Sequence, residues 1–185
     1  MNGYLYFNYC IYDLFEKFTK EEILDEENKF NCKICQEYVN PKKKLELHYL
    51  PIILIIHLKR FDKEKKLNNN IIFPLNQLNL AKFTSNIESN KDLEYDLIGV
   101  INHYGNPNSG HYISYIKDSE NDRWHVFNDS FTAEVNDINT IASKDAYVLI
   151  YKRNINNDAI ERIYNKKFIN IILENENTLV DYYNN

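Results

Sequence analysis

Apolar positions along the chain change spacing from segment to segment, and each spacing predicts a different element. Over residues 12–24, YDLFEKFTKEEIL, they recur at helical intervals: Leu14, Phe15 and Phe18 share one face. This predicts an amphipathic helix, with Thr19 and Glu22 placed to cap a second short one. NKFNCKICQEYVNPKKK is turn-rich and polar around Cys32 and Cys35. KLELHYLPIILIIHLKRF first alternates and then turns continuously apolar, which predicts a strand entering a buried sheet position with Pro51 at its bend. DKEKKLNNN is a solvated loop, IIFPLNQLNLAKF resumes order, and SNIESNKD is a second loop. Three strand-like runs follow, YDLIGVINHYG, GHYISYIKD and RWHVFNDSFTAEV, and DAYVLIYKR is a fourth. Turn signals between them predict a mostly antiparallel sheet. Beyond Arg153 the spacing returns to helical, with Ile160, Ile163, Phe168 and Ile171 or Ile172 available for packing. No internal repeat is visible.

Composition narrows the class. A length of 185 residues suits one domain or part of a larger one. Apolar residues at 44% and aromatics at 14% exclude disorder throughout. A net charge of −5 argues against nucleic acid as the main partner. The longest apolar run, residues 50–58, is strand-sized and interrupted by His57, so no membrane span is expected. MNGYLYFNYC lacks the basic and apolar regions of a signal peptide. Three cysteines, two of them in a CxxC, fit a reducing compartment and metal use better than a disulfide framework, so an intracellular location, cytoplasm or nucleus, is expected.

Candidate chemistry gathers in NSGHYISYIKDSENDRWHVFNDS. His111 follows Gly110 and opens a strand. A lone histidine there is more often structural or exposed than catalytic. Glycine before it permits a tight turn or the close approach of a substrate backbone. Asn128 and Asp129 end the next strand. In isolation that pair reads as a turn, but one hairpin away it could also hold an imidazole tautomer, as the third member of a triad does.

Taken together, YDLIGVINHYGNPNSGHYISYIKD, RWHVFNDS and DAYVLIYKR resemble the histidine box of ubiquitin-specific proteases, papain-like cysteine deubiquitinases. LPIILIIHLKRF and IIFPLNQLNL resemble that family's preceding segments, and YDLFEKFTKEEILDEENKFNCKICQEYVNPKKKLEL its helix and second CxxC of the zinc-binding fingers. The resemblance covers residues 10 to 153 and implies an α+β fold: a papain-like palm that is mostly antiparallel sheet, with partial zinc-finger-type fingers and the helical thumb missing. It divides the chain into a fingers segment at 1–50, a palm at 51–153 and a helical extension at 154–185.

Residue by residue, the resemblance implies that His111 is the general base and Asn128 the third triad member, with Asp129 able to assist. Gly110 and Tyr112 would lie near the scissile bond. The stretch from His103 to His111 would be a mobile loop beside the channel for ubiquitin's C-terminal tail. His103 reads equally as a flank of that tail or as a strand-end residue with a backbone partner. The family's cysteine box, Asn-x-Gly-Asn-Thr-Cys, has no counterpart here. Cys10 precedes a helix, which can lower a thiol pKa, but bulky aromatics surround it in place of a glycine-bearing turn. The nucleophile is therefore expected outside this chain, in a missing N-terminal half of the catalytic domain.

Cys32 and Cys35 form half of a tetrahedral zinc site. No cofactor is expected for catalysis, and structural zinc is expected only in a longer polypeptide. The implied activity is thiol-dependent cleavage after ubiquitin's terminal glycine. Ubiquitin or ubiquitinated proteins would be the partners, with no nucleic acid and no membrane. The alternative is a non-catalytic ubiquitin-binding or scaffold protein that kept the palm and lost the nucleophile.

Overall fold

A computed structural model describes residues 9–48, 50–61, 65–85 and 93–155. The helix expected beyond Arg153 falls almost wholly outside these residues. In chain order the elements are β1 (Tyr9–Cys10), α1 (Ile11–Thr19), β2 (Glu22–Ile23), β3 (Phe30–Cys32), β4 (Glu37–Val39) and β5 (Lys42–Lys43). They continue with β6 (Ile53–His57), β7 (Ile71–Ile72), β8 (Leu78–Asn79), β9 (Glu94–Asn106), β10 (Ser109–Lys117), β11 (Trp124–Asn128), β12 (Phe131–Glu134) and β13 (Ala146–Arg153). The fold is mostly β-sheet with one α-helix among the described residues.

One antiparallel sheet dominates, in the order β12-β11-β10-β9-β13-β6, with β8 also on β9. Its register sorts the side chains into two faces, because directly opposed residues point the same way. One row runs Ile56, Leu149, Val100, Tyr115, Val126. This face carries the core, joined by Leu97, Tyr95, Trp124 and Tyr151. α1 covers part of it through Ile11 and Phe15, the latter 5.4 Å from the Phe83 ring. Tyr95 and Tyr151 are fully buried, and each donates its hydroxyl to a proline carbonyl: Pro51 at 2.6 Å and Pro74 at 2.7 Å. Large aromatic bodies can fill this core because their polar tips have partners.

Several expectations change. The helix stops at Thr19, where Lys20 turns extended, and Thr19 donates its hydroxyl back to the Phe15 carbonyl at 2.9 Å without capping a second helix. Glu22 and Ile23 instead pair with Lys43 and Lys42, and ion pairs of 2.9 Å join Lys42 to Glu21 and Lys43 to Glu22. Phe18 is exposed and does not share the packing of Leu14 and Phe15.

The apolar run 50–58 does not take a central position. Among the described residues β6 pairs with β13 alone, and its two faces differ: Leu54 and Ile56 pack on the core while Ile55 is 64% exposed on the other face. A continuous apolar run does not encode how many of its faces are covered. Residues 103–111 likewise form paired strands instead of a loop. β9 and β10 close through Pro107 and Asn108, and the Asn106 side-chain oxygen accepts the amides of Asn108 and Ser109 at 2.9 Å each. Gly105, at φ +111°, makes this possible: a Cβ there would come within 2.7 Å of the Gly110 Cα.

Candidate active site

His111 and Asn128 meet through register. β10 pairs with β11 so that Ser114 opposes Phe127, which puts Asn128 across from Ile113. His111 shares a face with Ile113, two residues away, and so is a diagonal neighbour of Asn128. The imidazole Nε2 donates to Oδ1 of Asn128 over 2.5 Å. With that proton on Nε2, the ring's lone pair lies on Nδ1, and Nδ1 is the atom able to accept a proton. The His111 side chain is 45% exposed, open to a reacting group. Asp129 turns at φ +51°, and its carboxylate, 82% exposed, lies 4.0 Å from Nε2. At that range the carboxylate makes no hydrogen bond to the ring.

Strand alternation separates the other candidates from this pair. Tyr112 opposes His103 across β9 and β10, while His111 opposes Tyr104. Tyr112 and His103 therefore lie on the sheet face opposite His111 and Asn128. Tyr112 is exposed there. His103 is 4% exposed, its ring 4.7 Å from Tyr112, 5.1 Å from Phe61 and 6.0 Å from Tyr147. Burial, and then the nearby Lys66 ammonium, hold the His103 ring below the ordinary histidine range against the opposing pull of Asp145. Gly110 stands between the two faces, beside His111 in the chain and against the His103 ring in space.

Sequence reasoning missed the residues beneath His103. Lys66 comes from a lysine-rich stretch that reads as solvated loop, yet its side chain is 5% exposed. Its ammonium donates to the His103 carbonyl and pairs with Asp145 at 3.3 Å. Arg60, also buried, donates to the carbonyls of Ala146 (2.6 Å), Asn69 (2.7 Å) and Leu67 (3.1 Å). No local signal distinguishes these cations from exposed ones, because each has an acceptor from a distant segment: Ala146 for Arg60, and His103 and Asp145 for Lys66.

Cys32 and Cys35 sit at the turn of the β3–β4 ribbon. The Cys35 amide donates to Cys32 Sγ at 3.5 Å, and Gln36 closes the turn at φ +56°. The backbone amides of Cys35 and then Ile34, with the Cys35 side chain, hold the Cys32 thiol below the ordinary cysteine range. Amide-to-sulfur bonds of this kind suit a thiolate ligand. No third histidine, cysteine or carboxylate joins them among the described residues, so the donors present are half a tetrahedral set. Cys10 is elsewhere, at the start of α1 and opposite Ile72, with its amide donating to Asp13 at 2.9 Å and its side chain against the core. No helix among the described residues is long and apolar enough to cross a membrane.

The sequence profile of the family described as Ubiquitin carboxyl-terminal hydrolase matches residues 11–151. The chain belongs to this family. Ubiquitin carboxyl-terminal hydrolase 15 of Homo sapiens is 38% identical over 145 residues, covering 76% of this chain and 15% of that protein. Ubiquitin carboxyl-terminal hydrolase 5 of Arabidopsis thaliana is 37% identical over 147 residues, covering 77% and 16%. Among solved structures, the SAGA Ubp8/Sgf11/Sus1/Sgf73 DUB module bound to ubiquitin aldehyde matches with a TM-score of 0.69 and 31% identity, over 80% of this chain and 34% of that one. The chain thus spans about a sixth of those two relatives and a third of the solved neighbour. The stretch matched to the ubiquitin carboxyl-terminal hydrolases contains His111, Asn128, Asp129, Cys32, Cys35, Lys66 and His103. Cys10 lies just outside it.

Proposed function

We propose that this chain is the base-bearing part of a cysteine deubiquitinase, cleaving the acyl bond after ubiquitin's C-terminal glycine. The observation that carries the reading is the 2.5 Å contact between His111 Nε2 and Asn128 Oδ1, which leaves Nδ1 free as the proton acceptor. In the proposed reaction Nδ1 takes the proton of a cysteine thiol, and the thiolate adds to the carbonyl carbon. The tetrahedral intermediate collapses as the imidazolium protonates the departing lysine amine, leaving a thioester. His111 then deprotonates water, which attacks the thioester and regenerates the thiol. Asn128 holds the ring in the productive tautomer throughout, and Asp129 sets a carboxylate 4.0 Å from the ring.

The thiol comes from outside these 185 residues. Cys10 packs against the core at a helix start, and Cys32 and Cys35 belong to the β3–β4 turn, where they supply two of four zinc ligands with the rest from another segment. We place the working protein inside the cell, where free thiols persist.

The test is hydrolysis of a ubiquitin C-terminal fluorogenic amide. The isolated chain should show no turnover above background, because an imidazole without its thiol can activate only water. Adding a segment bearing the family's cysteine box, fused or in trans, should restore turnover, and His111→Ala should abolish it again. Cleavage by the isolated chain that is lost on Cys10→Ser would refute the proposal. Ubiquitin binding with no turnover in any combination would instead mark a ubiquitin-binding module.

A further inference from the structure

Gly110 has two close neighbours on β9, His103 and Gly105. The His103 ring occupies the space that a side chain at Gly110 would fill: a Cβ there would lie 2.7 Å from the ring's Cε1 and closer still to Nε2. The same Cβ would meet the Tyr104 carbonyl oxygen at 2.6 Å. Across the strand pair Gly105 directly opposes Gly110, so close that a Cβ on Gly105 would lie 2.7 Å from the Gly110 Cα. The residue whose ring fills this space is held at its backbone and packed around its ring. The His103 amide donates to the Asp145 carbonyl at 2.9 Å, and its carbonyl accepts from the buried Lys66 ammonium, which Asp145 neutralises. Phe61, Tyr112 and Tyr147 wall the imidazole.

We propose that His103, anchored by Lys66, is a positioning residue that sets the backbone under His111 through its contact with Gly110. This rests on the reading of His111 as the base. His103 lies on the opposite sheet face, so it acts through Gly110 and not on substrate. The geometry makes the coupling steep. His111 directly follows the clamped glycine, and a displacement of about 1 Å is enough to disrupt a catalytic alignment. Lys66 is a natural anchor because a buried ammonium already paired with Asp145 resists displacement.

The test uses the full 185-residue chain, labelled with ¹⁵N and ¹³C, and reads the His111 ring nitrogens together with the Gly110 and His111 amides by NMR. In the unmodified chain, His103 ring protons should show nuclear Overhauser contacts to the Gly110 α-protons, and His111 should show the Nε2–H tautomer. In folded His103→Ala, the Gly110 and His111 amides should shift, and the His111 ring signals should move to those of Asn128→Ala. Lys66→Met should act in the same direction, and Lys66→Arg should return the pattern toward the original. A role in stability alone would lower the melting temperature and leave the His111 tautomer of the folded protein unchanged, which would overturn the proposal.

If His103→Ala does not fold, Lys66→Met makes the same comparison. If neither folds, absence of the ring-to-Gly110 contact in the unmodified chain overturns the proposal and its presence supports it. If the unmodified chain already shows the Asn128→Ala ring pattern, the triad reading fails by itself. The clamp is then judged from the amide shifts alone.

Discussion

Replacing Asn128 with alanine removes the one hydrogen bond the structure gives to the His111 ring on its Nε2 side. The bond is short at 2.5 Å and becomes charge-assisted when the ring protonates, a class worth about 1.5–3 kcal/mol. The ring is 45% exposed, so water can replace part of the lost bond and the lower end applies, about 1.5–2 kcal/mol. At 1.36 kcal/mol per decade, the expected loss is about 10- to 30-fold in kcat, with little change in KM, because Asn128 orients the base without holding substrate. Asp129, 4.0 Å away and 82% exposed, resembles a surface ion pair worth about 0.2–1 kcal/mol, so Asp129→Ala should cost no more than about 5-fold. Asn128→Asp keeps an acceptor oxygen and should fall between Asn128→Ala and the unmodified enzyme. The assay is steady-state hydrolysis of a ubiquitin C-terminal amide by the chain combined with its cysteine-bearing complement, with folding of each variant checked by circular dichroism. If Asn128→Ala stays within about twofold of the unmodified enzyme, or if Asp129→Ala is the more damaging change, then Asn128 does not orient the ring.

Burial pushes the Tyr151 phenol well above the ordinary tyrosine range, with a smaller push from Tyr12. A folded-state pKa above the unfolded one means the stability is intact below pH about 10 and is lost as rising pH ionises the unfolded chain first. Urea melts from pH 8 to 11 should show that decline. Tyr151→Phe should flatten it while costing about 1–2 kcal/mol at neutral pH, where the Pro74 carbonyl loses its donor. Leu149→Ala, in the fully buried centre of β13, should destabilise the fold by about 2–5 kcal/mol, whereas Ile55→Ala on the exposed face of β6 should change it by less than about 0.5 kcal/mol. Equal costs in the two denaturation curves would contradict the exposure of the Ile55 face of β6. Isothermal titration of the isolated chain should detect only weak zinc binding that disappears on Cys32→Ser. Tight stoichiometric binding would mean that further ligands complete the site.

The sequence by itself determined what depends on local backbone geometry. Side-chain alternation with a period of two marks β9, β10, β11 and β13, because successive strand residues face opposite ways whatever they pack against. The placing of His111 at a strand start, directly after Gly110, comes from residues whose allowed backbone conformations are local. The tertiary structure alone decided what depends on partners far along the chain. Among the described residues ILIIH is an edge strand because only β13 comes to lie beside it, and nothing within the run counts its neighbours. Helix α1 stops at Thr19, short of the helical pattern, because Glu22 and Ile23 find strand partners at Lys43 and Lys42. Lys66 looks like any lysine in a polar loop, and its burial rests on Asp145, 79 residues away, and on the His103 carbonyl, 37 residues away. The His103 ring fills the gap at Gly110 for the same reason. An alternation pattern assigns a side chain to a face, but only the assembled sheet brings a ring and a missing Cβ to the same place.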